Sequence, residues 1–263
     1  MIPPGPEPAG GGVHVEHLEG GTLRRLVLGG PMGNIIGLDT IDALCGCFEE
    51  AGSARALKAI VIQGAGHHFS FGASVPEHLP GICERMIPAF GRLFRIMVRS
   101  SVITLAAVHG RCLGGGLELA AICHRIFASP GATFGQPEIT LGVFPPVASI
   151  LLSDRVGRGR AEDICLSGRI LGSEEACRIG LVDEIAGDPI AAAMDYARQH
   201  LLPRSASSLR IAARALRLDI AQRLDQQLPA VERLYLADLM ATHDASEGIR
   251  SFMEKRAPIW KDA

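Results

Sequence analysis

Two acidic residues and two glycine-bearing loops carry the chemistry of this chain: Glu118 in GRCLGGGLELA, Glu138 in FGQPEITLG and, upstream, the segment HHFSFGAS at 67–74. A glycine run that leads into a helix lets the backbone approach a ligand closely, and the first-turn amides there favour negative charge because no helical carbonyl takes them up. LGGG (113–116) fits that description, and FSFGAS offers a second stretch of available amides. Two carboxyls beside an oxygen gripped by two N–H groups can move protons while that oxygen gains charge. The combination suits enolate chemistry on a thioester. Taken singly, each signal has a plainer reading: the glycines form a structural turn, and a lone glutamate on a helix is solvated. No P-loop and no G-x-G-x-x-G fingerprint is present, which removes the usual nucleotide-binding readings.

For those groups to meet, the chain between them must form a rigid scaffold. LRRLVL (23–28) alternates like a half-buried strand, whereas KAIVIQG (58–64) and VITLAAVHG (102–110) are β-branched apolar runs closed by glycine, the pattern of strands buried on both faces. RIFAS (125–129) and LVDEI (181–185) add two more strand candidates. Thr40–Ala51, Met86–Arg99 and the run after Gly116 have helical spacing, and Ser173 ahead of Glu174 and Glu175 reads as a helix start. Strands alternating with helices predict an α/β core. Past about residue 190 the strand signals stop, and 205–219, 222–240 and 244–256 read as helices, the last opened by a capping-box-like pair, Asp244 and Glu247. The expected organisation is a disordered leader over 1–12, an α/β core with the active site over 13–200, and a helical region over 201–263. Arg210, Arg214 and Arg217 share one helix face, read as a solvated face with an anion site or subunit contact as the alternative.

Composition sets the outer bounds. At 263 residues, with 48% apolar content and a mean hydropathy of +0.23, the chain can bury a large core. A net charge of −2 and a pI near 6.5 supply no general field for nucleic acid or an anionic membrane. No apolar run approaches the roughly 18–20 residues that a membrane span requires. The opening MIPPGPEPAGGG lacks the basic and apolar regions of a signal peptide, so a cytoplasmic protein is expected. Seven scattered cysteines without a C-x-x-C pair indicate neither a disulfide framework nor zinc, and the histidines lack metal spacing. No metal is expected.

In that order, HHFSFGAS, GRCLGGGLE and FGQPEITLG closely resemble the enoyl-CoA hydratase/isomerase (crotonase) superfamily, from about residue 22 to the C-terminus. The resemblance implies a spiral of ββα units with a helical C-terminal trimerisation region, assembled as a homotrimer or a dimer of trimers. It implies a coenzyme A thioester as substrate and no separate cofactor. By position it makes the N–H groups of Ala73 and Gly115 an oxyanion hole, with Gly72 and Gly114 beside them, and Glu118 and Glu138 the two catalytic glutamates. Phe252 and Lys255, in SFMEKR, fall where the family reaches a neighbour's CoA adenine and phosphates. Members that only shift a double bond commonly keep one glutamate, so the presence of two favours hydration.

Departures from the straight-chain hydratase pattern narrow the substrate. Where those enzymes usually carry a stretch like LGTIPGAGGTQRL, this chain has LGVFPPVASILL (141–152), in which Pro146, Val147, Ala148 and Ser149 replace a small, glycine-rich acyl wall, with Phe144 beside them as a further substrate-binding candidate. Proline fixes φ and valine adds volume, so the wall is stiffer and bulkier. Ser74 replaces the usual acidic residue after the oxyanion alanine. With SASSLR (205–210) and HDASEGIRSFMEKR (243–256), these stretches are most similar to the cyclohexa-1,5-diene-1-carbonyl-CoA hydratases of anaerobic benzoyl-CoA degradation. The implied reaction adds water to that ring, giving 6-hydroxycyclohex-1-ene-1-carbonyl-CoA. The alternatives are a straight-chain 2-enoyl-CoA hydratase and a non-catalytic RNA-binding member; balanced charge and the lack of basic–aromatic clusters speak against the latter. The lysines that the family often places near the oxyanion strand and first helix are replaced by His67–His68 and the neutral PMGN (31–34), leaving His67 and Lys255 as candidates for the CoA phosphates.

Overall fold

The structure, a computed structural model, describes residues 12–263. Residues 1–11 of the expected leader lie outside the described residues, and Gly12 already belongs to β1 (Gly12–Leu18). This strand is an addition to the expected set, although Val13 and Val15 alternate with His14 and Glu16 as a half-buried strand should. β1 pairs antiparallel with β2 (Leu23–Gly29), which runs parallel to β3 (Ala59–Gly64). β4 (Ile103–Val108) follows in parallel, and its loop leads into a short strand, β5 (Arg111–Leu113). β6 (Arg125–Ala128) and β7 (Thr133–Gly135) repeat that arrangement, β6 beside β4 and β7 beside β5. β8 (Ile170–Gly172) closes the small sheet antiparallel to β7, and β9 (Glu184–Ile185) closes the large one beside β6. Among the described residues the two orders are therefore β1-β2-β3-β4-β6-β9 and β5-β7-β8. Successive strands alternate between the sheets before the chain turns into a helix, which is the expected ββα spiral.

The strand runs explain the layers. Residues of β3 are buried on both faces, so its side chains divide by parity: Ile60 and Ile62 enter the large core with Leu26, Leu28 and Val108, while Ala59 and Val61 join Leu23, Leu105 and Ala107 on the opposite face. The large core is covered by α2 (Leu38–Ser53), which follows the single turn α1 (Pro31–Asn34), and by α3 (Cys83–Arg99) and α4 (Gly115–Ala121). After α5 (Ala148–Val156), α6 (Arg158–Ser167) and α7 (Ser173–Arg178), α8 (Pro189–Tyr196) covers the other face through Ala193 and Met194. Ser173 is the first residue of α7 and not its cap; its hydroxyl donates to Pro130 O at 2.5 Å.

The C-terminal helices are α9 (Ala206–Leu216), α10 (Leu218–Arg233), which continues through a π-helical turn at Leu234–Leu239, and α11 (His243–Met253). They have no separate core. α10 docks on α3 through Leu224 and Leu228, each fully buried and so contributing about 1.5–3 kcal/mol. Gly91 of α3 permits the approach, because a Cβ there would meet Leu228 Cδ2 at 2.8 Å. Two expectations fail here. The arginine row stays in solvent only in part: Arg214 is exposed, whereas Arg210 turns inward and donates to Ala51 O at 3.2 Å, Ala54 O at 3.2 Å and Ser100 O at 3.3 Å, closing the C-terminal end of α2. Asp244 and Glu247 do not form a capping box, since Thr242 Oγ1 caps α11 by accepting from Ala245 N at 3.2 Å. Asp244 accepts instead from the N–H groups of Lys261 and Asp262, both at 2.8 Å, and Glu247 from Ile259 N at 2.8 Å, so the returning tail claims both carboxylates. No helix among the described residues is long and apolar enough to cross a membrane.

Candidate active site

The parallel strands β3 and β4 end side by side, and the two glycine-bearing loops leave from their C-terminal edges, where open α/β sheets collect ligands. The first loop is tethered from both directions. Asn34 Nδ2 donates to Ala65 O at 2.9 Å and His68 O at 2.8 Å, and Ser70 Oγ donates to Asn34 O at 2.8 Å while accepting from Gly72 N at 3.0 Å. Gly72 takes φ +104°, a conformation that L side chains rarely adopt. The chain then forms a bridge with Ile36 that uses Gly72 O (2.9 Å) and Ser74 N (3.2 Å), so the N–H of Ala73, between them, points the other way. The second loop turns at Gly114 (φ 51°, ψ −129°) and enters α4 at Gly115, whose N–H lacks a helical acceptor. The two loops are in backbone contact. A Cβ on Gly72 would meet Gly115 N at 3.2 Å, and one on Gly115 would meet Ala73 N at 3.2 Å. Two unengaged amides thus stand together.

Glu118 lies in the first turn of α4, only 3% exposed. Its Oε1 accepts from Val147 N at 2.8 Å and Ala148 N at 2.7 Å, the start of α5. Burial pushes its carboxyl up to about 7, and the two N–H donors limit the rise. Glu138 sits on a 3₁₀ turn, Pro137–Leu141, close enough to the second loop that a Cβ on Gly114 would meet its Oε1 at 2.6 Å. Its carboxyl is raised well above the usual range, first by burial and then by the charge of Glu118. The NH₂ of buried Gln136, turned toward Glu138, donates to its oxygens at 3.1 and 3.0 Å and to Gly114 O at 3.3 Å. Like charges at close range push two titrations apart, and Glu118 holds the better donors for an anion. Of the two, Glu138 is therefore raised further.

A cavity of about 60 Å³ adjoins these groups: its wall includes Ala73, His78, Gly114, Glu138, Val143 and Ile249, whereas Gly115 and Glu118 stand behind that lining. Gly72 also lines it, whereas Ser74 stands behind, its carbonyl accepting from His78 Nδ1 at 2.8 Å. Pro146 and Val147 are buried where the chain enters α5, and Phe144 stacks edge-on against Tyr235 at 5.2 Å. The remaining predicted residues stay apart. His67 is exposed, Phe252 is 55% exposed, and Lys255 follows α11 on the surface, although Ile249 of the same helix reaches the cavity.

Four residues at this site were not legible in the sequence as functional. Gln136 lies inside a quoted motif, where its only signal is a polar residue two positions before the glutamate. His78 and exposed Arg111 belong to segments dominated by their glycines; the Arg111 guanidinium lies 5.4 Å above the ring of Phe71, a cavity-lining residue. Tyr235, one of two tyrosines in the chain, is fully buried, and its hydroxyl has no hydrogen-bond partner among the described residues. Leaving a buried hydroxyl unpaired costs about 1–3 kcal/mol.

The model of the enoyl-CoA hydratase/isomerase family matches residues 22–263. The chain belongs to that family. Relatives of this hydratase/isomerase include a cyclohexa-1,5-dienecarbonyl-CoA hydratase of Thauera aromatica, 49% identical over 92% of this chain and 94% of that protein. A probable enoyl-CoA hydratase of Mycobacterium bovis is 35% identical over 76% of this chain and 79% of its own length. Among solved structures, an enoyl-CoA hydratase from Mycobacterium avium subsp. paratuberculosis superposes with a TM-score of 0.84 at 26% identity, covering 96% of this chain and all of that one. The crotonase-like fold and the enzyme class follow: this is a carbon–oxygen lyase of the enoyl-CoA hydratase type, acting on an acyl-CoA.

Proposed function

We propose that the enzyme hydrates cyclohexa-1,5-diene-1-carbonyl-CoA to 6-hydroxycyclohex-1-ene-1-carbonyl-CoA, a step of anaerobic benzoyl-CoA degradation. The thioester oxygen lies between the amides of Ala73 and Gly115. Ionised Glu118 takes a proton from water, whose oxygen bonds to C2, the carbon conjugated with the carbonyl. The C1=C2 pair moves toward the thioester and leaves a dienolate with charge on the oxygen, C1 and C5. Protonated Glu138 delivers its proton to C5; the C5=C6 pair takes it, the enolate pair becomes a C1=C6 bond, and the carbonyl re-forms. Renumbered, that bond is C1=C2 and the new hydroxyl sits on C6. Water is added and nothing is oxidised, so no cofactor is needed beyond the CoA of the substrate.

The observation that carries this reading is a pair of carboxyls, Glu118 buried and Glu138 half-buried, beside two unengaged amides. Pre-aimed N–H donors need no reorganisation as the oxygen gains charge. The ring rests on the similarity to the Thauera aromatica hydratase and on Pro146, Val147, Ala148 and Ser149, which stand where straight-chain enzymes carry a small, glycine-rich wall. Arg111, beside Phe71, and Lys255 with Phe252 of a neighbouring copy in a homotrimer or dimer of trimers hold the CoA phosphates and adenine. Comparing turnover of the cyclic dienoyl-CoA with that of crotonyl-CoA tests the assignment. Faster use of the ring is expected; faster use of the linear substrate would overturn it.

A further inference from the structure

Tyr235 stands one ring behind the cavity wall. Its side chain meets Phe144 edge-on, and its ring centroid lies 6.3 Å from that of His78, a wall residue. It is carried by the π-helical turn Leu234–Leu239, a local irregularity that recurs at functional sites because it re-aims one side chain. Burial first, then the neighbouring Cys83, Glu138 and Glu118, raise its phenol, so the group remains a donor. None of those neighbours engages it. Cys83 Sγ donates to Glu84 Oε2 at 3.4 Å, and His78 uses Nδ1 on Ser74 O.

The cavity of about 60 Å³ is smaller than the roughly 150 Å³ apolar cavity that takes up benzene. A six-membered acyl group must therefore push the wall outward, and on the side of His78 the next ring is that of Tyr235, with Phe144 packed edge-on against it. Among the apolar residues there, Leu141, Val143 and Ile249, nothing else offers a donor to an oxygen on the ring.

We propose that Tyr235 is a specificity-determining residue for a cyclic acyl group, its O–H donating to the oxygen that water adds to the ring and that the product retains as hydroxyl. This rests on the ring hydration proposed above. During addition the oxygen gives one proton to Glu118, forms its bond to the ring and accepts from Tyr235 with its other lone pair. A linear four-carbon acyl group is too short to displace the wall and leaves the tyrosine unused.

The test is Tyr235→Phe, assayed with the cyclic dienoyl-CoA, its hydroxylated product and crotonyl-CoA, together with the melting temperature of the ligand-free protein. The expected result is a loss of about tenfold in kcat/KM for both ring substrates, with crotonyl-CoA turnover within about twofold of wild type. The ligand-free melting temperature should rise by about 2–4 °C, because the unpaired hydroxyl is gone. Unchanged kinetics on the ring substrates would overturn the proposal, whatever the melting temperature. So would equal losses on ring and linear substrates with a fall in melting temperature, since Tyr235 would then be structural. If wild type turns over the ring and the variant matches it, only the role of Tyr235 falls; if wild type ignores the ring, the ring assignment falls and takes this role with it.

Discussion

The reacting end of the site and its outer rim are built by opposite rules. At the reacting end the parts are backbone amides and two carboxyls, one buried and one half-buried, each fixed by named contacts: Gly72 by Ser70, Glu118 by Val147 and Ala148, Glu138 by Gln136. At the rim the candidates are long or exposed side chains, His67, Arg111, Phe252 and Lys255, and no hydrogen bond or ion pair holds the imidazole of His67 or the ammonium of Lys255 among the described residues. The difference follows from what each must do. Charge that develops on one oxygen is stabilised only by donors already in place. Phosphates on a long flexible tail can be met by mobile surface cations, each worth little in water.

Neutralising either carboxyl should produce the largest change. Glu118→Gln and Glu138→Gln are expected to lower turnover by about 10²–10⁴-fold; a near-normal rate in either would detach that residue from the reacting end. Gly72→Ala comes next. Its Cβ would meet Leu113 O at 2.8 Å from a φ of +104°, displacing the amide of Ala73, and losing one such donor costs about 10²–10³ in kcat. A wild-type kcat there would show that the amides tolerate slack. At the rim, Arg111→Ala and Lys255→Ala should raise KM by no more than about fivefold, more at low salt, with kcat unchanged. A matching fall in kcat would erase the contrast between the two ends.

The smallest effect is thermal. Glu118 and Glu138 titrate above their ordinary values in the folded protein, which therefore holds protons that the unfolded chain releases. Their contribution is fully present below the ordinary carboxylate range and is lost as pH rises through the Glu118 value of about 7. Calorimetry from about pH 5 to pH 8 should show a falling melting temperature. Glu118→Gln should flatten that fall, and an unaltered slope would place the titration elsewhere.

Much of this was readable before any coordinates. β3 and β4 announce themselves as apolar, β-branched runs because they are buried on both faces. The three-residue strands β5, β7 and β8 escape notice, since three residues carry no period and their pairing is decided by partners far along the chain. The close approach of the loops bearing Ala73 and Gly115 was legible from motif order, because glycines that permit close backbone approach leave a local mark; Glu138 shares a cavity with Ala73, while Glu118 and Gly115 lie outside its lining. His78 and Tyr235 left none, and Gln136 only its polarity inside a motif: a polar side chain packed against a site is defined by what faces it. Asp244 and Glu247 misled for the same reason, having the spacing of a cap while the returning tail holds their oxygens.

That tail ties distant parts together. Besides its hydrogen bonds to α11, it brings the Trp260 ring to where a Cβ on Gly142 would touch it at 3.2 Å, and Gly142 ends the turn that bears Glu138. Residues 259–263 act as a buckle on a glutamate more than a hundred positions upstream. Replacing Trp260 by alanine would therefore slacken that turn without touching either sheet, a change felt at Glu138 before it is felt in the core.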